Sequence, residues 1–274
     1  MGSAPPFTPP SISHLSQVAY LVGDPIAHSS SPSLHEHIST NTGVPYGQVL
    51  VETRDLDGFL AYLRSHPTSP KLLGSGVTMP HKVTVIPRLD GLTPEAAAVG
   101  AVNTIFLQKK ENENENEDPS SEPNKVAAVK LIGHNTDTIG VRDAFLNNSN
   151  SLPAVLDPAS AFSPPALVVS AVPDFTPSTD AERVVRQILT LFLKTAAASN
   201  GGGVLLEMCY HPSPDTEISR LALENGWQVI GGIEAMVAQG CAQSQLWTGV
   251  EVSEAVRNIA RDEVRKRLQQ QHQH

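Results

Sequence analysis

Short apolar runs and amphipathic stretches alternate along most of this chain. Gln17-Val-Ala-Tyr-Leu-Val22 is a compact apolar run stopped by Gly23, which predicts a buried strand. Ser31-Pro32 opens a helix, with serine at the cap and proline at the first helical position, where its missing N–H costs nothing. Gln48 to Glu52 reads as the next strand, and Asp55 caps a helix that gathers Phe59, Leu60 and Leu63 on one face. Val77 closes a third strand before a helix beginning at Pro80, and Thr93-Pro94 opens another. Val102 to Gln108 and Val126 to Ile132 form the arms of a hairpin, followed by a helix from Asp137 to about Leu146.

The second half repeats the alternation. Ala166 to Val172 is a buried strand, Ala181 to about Ala198 a helix, and Val204 to Met208 a strand. Asp215 caps a helix ending at Gly226, Trp227 to Ile230 is a short strand, and helices from Ile233 to Trp247 and Ser253 to Gln269 follow. Strand and helix alternating in this way define an α/β fold with a mostly parallel sheet.

Two stretches break the pattern. Lys109 to Lys125 contains Glu111-Asn-Glu-Asn-Glu-Asn-Glu117, a self-repelling run best read as a disordered acidic loop at the hairpin tip. Residues 147–165 are rich in Asn, Ser, Pro and Ala and mark a linker. The organisation expected is a flexible arm over 1–13, a first domain over 14–146, the linker, a second domain over 166–268, and a polar tail over 269–274. The His/Gln cluster of the tail lacks a neighbouring carboxylate or cysteine and reads as a loose end, with no metal site expected.

Composition narrows the function classes. A net charge of -9 argues against nucleic acid or an acidic membrane as partner. No apolar run is long enough to span a bilayer, and the N-terminus lacks the pattern of a signal peptide. With Cys209 and Cys241 as the two cysteines, a reduced, cytoplasmic setting is expected.

Candidate chemistry sits in five places. Gly23 to Pro32 puts Ser29, Ser30 and Ser31 at a strand-to-helix turn, where free N–H groups and the helix dipole suit a carboxylate; simple capping would need only one of these serines. Gly76-Val-Thr-Met-Pro-His-Lys82 places Lys82 in a first helical turn, where the dipole disfavours a cation, so the lysine is either solvated or kept for a purpose. Gly100-Ala-Val-Asn-Thr104 and Gly133-His-Asn-Thr-Asp137 each bring Asn-Thr to a strand end, and Asp137 taken alone is a good helix cap. Gln239 and Gln243 stand one turn apart on a late helix, where glutamine usually faces solvent.

In this order the motifs resemble the shikimate/quinate dehydrogenase family along nearly the whole chain, its fungal branch above all. Leu206-Glu-Met-Cys-Tyr-His-Pro212, Glu234 to Gln239 and Leu246-Trp-Thr-Gly249 extend the match. The resemblance implies a shikimate-dehydrogenase-type N-terminal α/β substrate domain followed by a Rossmann-like domain. It implies Lys82 and Asp137 as the catalytic pair, Ser29 and Ser31 on a substrate carboxylate, and Thr78, Asn103 and Gln239 on ring hydroxyls. Such a set suits a small cyclic hydroxy acid: the pair can exchange protons, and the neutral polar groups reject ligands that lack the hydroxyls. Gly76 departs from the family, many of whose members carry asparagine there.

A larger departure follows. The family's NAD(P) site needs a strand, a glycine-rich turn and a helix N-terminus directly after the Asn-Thr-Asp helix. Here residues 147–165 are too few for the roughly 30 residues of one βαβ unit, and no G-x-G-x-x-G occurs. The expected second domain is therefore a truncated Rossmann-like unit with no cofactor-binding residues. It would have a sheet edge where the missing strands belonged, which a homodimer could cover. The reading that follows is a cofactor-independent acid/base enzyme catalysing dehydration, isomerisation or cyclisation. The competing readings are an NAD(P)-dependent shikimate/quinate dehydrogenase and a non-catalytic sensor of such acids.

Overall fold

The computed structural model describes residues 6–66, 70–109, 129–149, 166–200, 202–210 and 213–271. The acidic run and most of the linker lie outside these residues, as do His272 and His274 of the tail. The chain divides into two compact units, one of Met1–Thr138 with Gly240–Ala260, the other of Ile139–Gln239 with Arg261–His274. The second unit thus lacks the stretch 240–260 that the sequence reading assigned to it.

In the first unit the strands are β1 (Gln17–Gly23), β2 (Gly47–Glu52), β3 (Lys71–Val77), β4 (Gly91–Leu92), β5 (Thr104–Lys109) and β6 (Val129–His134). They form a sheet of order β2-β1-β3-β5-β6-β4. β1 runs parallel to β2 and β3, and β4 parallel to β6; β5 is antiparallel to β3 and to β6. The helices are α1 (Ser31–Thr42), α2 (Leu56–Arg64), the four-residue α3 (His81–Thr84) and α4 (Pro94–Val99). β1 is central and almost wholly buried, as its unbroken apolar run requires. One core joins Val18, Tyr20 and Val22 of β1 to Phe59, Leu60 and Leu63 of α2. Asp55 caps α2 as expected, accepting from Gly58 N at 2.9 Å.

The N-terminal arm differs from the flexible one expected, at least from residue 6 onward. Phe7 packs edge-to-face with Phe59 and at a tilt against Tyr62, with ring centroids 5.6 and 5.4 Å apart, its N–H donates to Asp55 Oδ2 at 2.9 Å, and Ile12 is buried. An aromatic and a β-branched residue supply enough apolar area to hold a Pro-rich segment against the core.

A second cluster of the first unit joins Ala19, Tyr46, Leu73 and Trp247. Trp247 donates from its indole N–H to the Ile105 carbonyl at 3.1 Å. Gly74 makes this approach possible: a Cβ there would lie 2.5 Å from Trp247 Nε1 and 2.6 Å from its Cδ1.

The second unit holds β7 (Leu167–Ser170), β8 (Val204–Glu207) and β9 (Gln228–Gly231), all parallel, in the order β7-β8-β9. Its helices are α5 (Asp137–Asn148, from Ile139 onward), α6 (Asp180–Asn200), α7 (Glu217–Glu224), α8 (Gly232–Thr248, up to Gln239) and α9 (Glu254–Gln271, from Arg261). α7 is capped by Thr216 rather than by Asp215, with Thr216 Oγ1 accepting from Ser219 N at 3.0 Å. Leu193, Leu205, Ile218 and Trp227 form one core, and Phe145, Leu206 and Ile230 another. Among the described residues β7 pairs with β8 alone, and Leu167 and Val169 of this edge are exposed. No helix among the described residues is long and apolar enough to cross a membrane.

Candidate functional site

Backbone hydrogen bonds tie four of the sequence motifs together within the first unit. Thr78 N donates to Val22 O and Asp24 N to Met79 O, at 2.9 and 3.0 Å, joining the end of β1 to the turn after β3. Val77 N donates to Asn103 O and Val102 N to Lys82 O, both at 2.7 Å, and Asn103 N to His134 O at 3.2 Å. The motifs are separate in sequence because they sit at the ends of different strands. Gly23 permits the tightest of these approaches, since a Cβ on it would run into the Thr78 methyl group.

Lys82, in α3, donates from Nζ to Asp137 Oδ2 at 2.6 Å. About a third of each side chain is exposed, 28% and 32%, so the pair can be reached from solvent without being freely solvated. The counterion explains why a lysine is tolerated in that helical turn. Asp137 is free for this role because its neighbour does the capping: Asn135 Oδ1 accepts from Thr138 N at 3.2 Å, while Asn135 Nδ2 donates to Ala101 O at 2.9 Å. The expected cap function of Asp137 thus falls to Asn135.

Asn103 is buried, and its Oδ1 accepts from Thr136 N at 2.7 Å and from Thr104 Oγ1 at 2.8 Å. Thr136 immediately precedes Asp137, so Asn103 and the charged pair share one support. His134, two residues before Thr136, is also buried. Its Nδ1 lies 2.7 Å from Thr93 Oγ1 and 3.7 Å from Glu95 Oε2. Burial lowers its pKa, with the Glu95 carboxylate opposing.

Ser29 and Ser31 are both half-buried at the start of α1, and Ser29 Oγ accepts from Ser31 N at 3.2 Å. Ser30 is the cap residue by position and makes no side-chain cap bond. Thr78 is half-buried. Gln239 is half-buried on α8 and belongs to the second unit, whereas the other candidate residues belong to the first. Gln243 was expected to face solvent and is instead buried. Its Oε1 faces His35 Nε2 at 3.1 Å, and its Nε2 donates to Thr104 Oγ1 at 3.1 Å. Residues 232–244 of α8 are buried or half-buried throughout, so no solvent-facing side of the helix marked which glutamine turns inward.

Among the described residues no group of three His, Cys, Asp or Glu side chains could hold a metal ion. A dinucleotide finds a poor fit in the second unit. No glycine occurs between Gly140 and Gly201, so the turn after β7 has no close-approach position for a pyrophosphate. Each helix that follows a strand there also carries a carboxylate in its first turn. At α6, Glu182 accepts from Ser178 N and Thr179 N at 2.8 and 2.9 Å, which holds its pKa well below the usual carboxylate range. At α7, Glu217 N already donates to Asp174 Oδ1 at 3.0 Å. At α8, Glu234 is buried and paired with Arg261 and Arg265, both at 2.7 Å. A pyrophosphate at any of these ends would displace or face a carboxylate.

The architecture is that of an α/β dehydrogenase, with a substrate-type N-terminal domain and a Rossmann-like C-terminal one. A profile described as "Shikimate dehydrogenase substrate binding domain" matches residues 21–105. Quinate dehydrogenase of Emericella nidulans is 31% identical over 305 aligned positions, covering 86% of this chain and 88% of that protein. The chain belongs to the shikimate/quinate dehydrogenase family, a family of enzymes. That alignment is longer than the 274 residues here, so it runs across positions this chain lacks. A solved structure of dehydroquinate dehydratase and shikimate dehydrogenase from S. pombe AroM has a TM-score of 0.64 and 25% identity, covering 89% of this chain and 52% of that one. Shikimate 5-dehydrogenase of Thermus thermophilus, solved with NADP(H) and shikimate, has the same fold at a TM-score of 0.61 and 22% identity, covering 90% and 99% of the two chains.

Proposed function

We propose that this protein binds a small cyclic polyol carboxylate of the shikimate or quinate kind, and that Lys82 and Asp137 act on it as a proton-transfer pair without NAD(P). The observation that carries the reading is the Lys82–Asp137 contact of 2.6 Å, kept in a chain whose second unit begins each helix after a strand with a carboxylate in the first turn. An ammonium beside a carboxylate can deliver a proton to a ligand oxygen while the carboxylate takes one from carbon or oxygen. Dehydration, isomerisation and cyclisation each need only that exchange, with no hydride to store. In this reading Ser29 and Ser31 hold the ligand carboxylate at the start of α1, and Thr78 and Asn103 meet its hydroxyls.

Family membership favours a second reading, an NAD(P)-dependent dehydrogenase. Calorimetric titration with shikimate, quinate, NAD and NADPH, each alone, separates the two. Binding of an acid, lost in Asp137→Ala, with no dinucleotide binding, is the expected result. Dinucleotide binding at micromolar strength would restore the dehydrogenase. Acid binding without any turnover or proton exchange would leave a sensor.

The exposed β7 edge supports a homodimer as a further part of the proposal. Among the described residues β7, with Leu167 and Val169 exposed, has a partner strand on one side only, and such an edge is a template for a strand from a second copy of this chain. A monodisperse monomer in sedimentation at high concentration would remove this part. The two cysteines are free thiols, in keeping with a reduced cytoplasmic setting.

A further inference from the structure

We infer that α6 carries a contact surface for a second copy of this chain: two α6 helices pair antiparallel about a two-fold axis, through an aliphatic seam on their outer faces. The pairing is independent of the ligand reading, and it gives the homodimer a contact separate from the β7 edge.

α6 is apolar on two sides. Leu189, Phe192 and Leu193 turn inward on the core of Leu205, Ile218 and Trp227, and Trp227 donates from its indole N–H to Leu193 O at 3.0 Å. Arg186 faces α7, where its Nη1 donates to Glu217 Oε2 at 3.1 Å. A helix that already buries one stripe should be polar on the rest of its surface. Instead Val184, Ile188 and Leu191 are 50, 60 and 65% exposed, and Ala181 and Thr195 are exposed at either end of them. These five residues follow one another at intervals of three, four, three and four, the spacing of the a and d positions that form a two-helix seam. The seam is distinct from the β7 edge. Val168 packs into the same core as α6, so its neighbours Leu167 and Val169 point to the other face of the sheet.

Charge identifies the occupant. Asp180 and Lys194 flank the seam on one side, each one residue before an a position, at opposite ends. In a parallel pair each would meet its own like charge. In an antiparallel pair about a two-fold axis, each Asp180 meets Lys194 of the other copy, twice over. Val184 then faces Ile188 and Ala181 faces Leu191, a smaller side chain against a larger one in every layer. Asp180 also meets Arg183 of its own helix through Oδ1, but it is 97% exposed and its second oxygen can accept from Lys194. A net charge of -9 argues against an anionic membrane as the occupant. The seam with its flanks offers on the order of 500 Å² per copy, near the lower limit for a specific interface, so the dimer should dissociate on dilution, in the micromolar range.

The test is sedimentation of the full chain over a range of concentrations, with anionic vesicles added in a separate run. The wild type is expected to dimerise, Ile188→Glu to stay monomeric where the wild type is dimeric, and Val169→Glu to dimerise as the wild type does. Lys194→Glu should weaken the dimer about 3–10-fold by setting like charges together at both ends, and adding Asp180→Lys in the same chain should restore it. That rescue uses exposed side chains alone, and a variant that had merely misfolded would not show it. A dimer that survives Ile188→Glu and is lost in Val169→Glu overturns the pairing and leaves the β7 edge as the contact. A dimer weakened by Lys194→Glu that Asp180→Lys does not restore overturns the antiparallel arrangement. A wild type that is monomeric throughout overturns both contacts, and one that is monomeric and sediments with the vesicles makes the seam a membrane face instead.

Discussion

Lys82 and Asp137, 55 residues apart in sequence, meet at 2.6 Å between Nζ and Oδ2, and Asp137 is spared for that contact because Asn135 accepts from the Thr138 N–H. A pair about a third exposed contributes little to stability, roughly 0–1 kcal/mol after solvent screening, so its removal should be felt in chemistry rather than in folding. Lys82→Ala and Asp137→Asn are each expected to slow exchange of a carbon-bound hydrogen of bound shikimate or quinate with solvent deuterium by about 10²–10⁴-fold. NMR follows the exchange, and the thermal midpoint should stay near the wild-type value. Undiminished exchange in both variants would remove the pair from the chemistry.

The buried imidazole of His35 makes stability depend on pH. Its pKa is pushed down to about 4 in the folded chain, against about 6.5 when unfolded. Between these values the unfolded chain holds a proton that the folded chain does not, so stability is complete above pH ~6.5 and declines as pH falls toward 4. From pH 7.5 to 5.0 the loss from this one group is about 2 kcal/mol. Urea unfolding at the two pH values measures it, and His35→Gln should lose less across that interval than the wild type. Equal losses would mean that His35 takes up its proton without unfolding.

Gly74 is expected to resist substitution. In Gly74→Ala the new methyl group lands between the Ile105 carbonyl oxygen and the Trp247 indole, 2.5 Å from the indole Nε1, and must force the two apart. Overpacking of this kind costs about 1–3 kcal/mol, or roughly 2–4 °C of thermal midpoint per kcal/mol for a chain of this size. Trp247 fluorescence should move together with the midpoint. An unchanged spectrum and midpoint would show that position 74 takes a methyl group without displacing the ring.

Phe7 holds the N-terminal segment against α2. Phe7→Ala should cost about 1–2 kcal/mol for a half-buried ring. It should also speed limited proteolysis of the segment before β1. A variant with wild-type resistance would place the anchor elsewhere, at Ile12.

Much of the architecture was legible in the residues themselves. Asp55 and Thr93 cap the helices they precede, the proline after Ser31 marks the start of α1, and the apolar run before Gly23 is the central strand. The lack of glycine between Gly140 and Gly201 is likewise a property of the sequence alone. These signals are local: a cap acts within one turn, and apolar periodicity repeats every two residues or every 3.6. What the tertiary structure alone decided was which polar side chains meet. Gln243 had the look of a surface residue and became a buried partner of Thr104 and His35, and Phe7 tied down an arm whose composition suggested a loose one. Each outcome depends on a single contact between residues from distant parts of the chain. One such contact leaves no periodic trace in the sequence, because it is set by packing geometry and by which buried donors and acceptors remain to be satisfied.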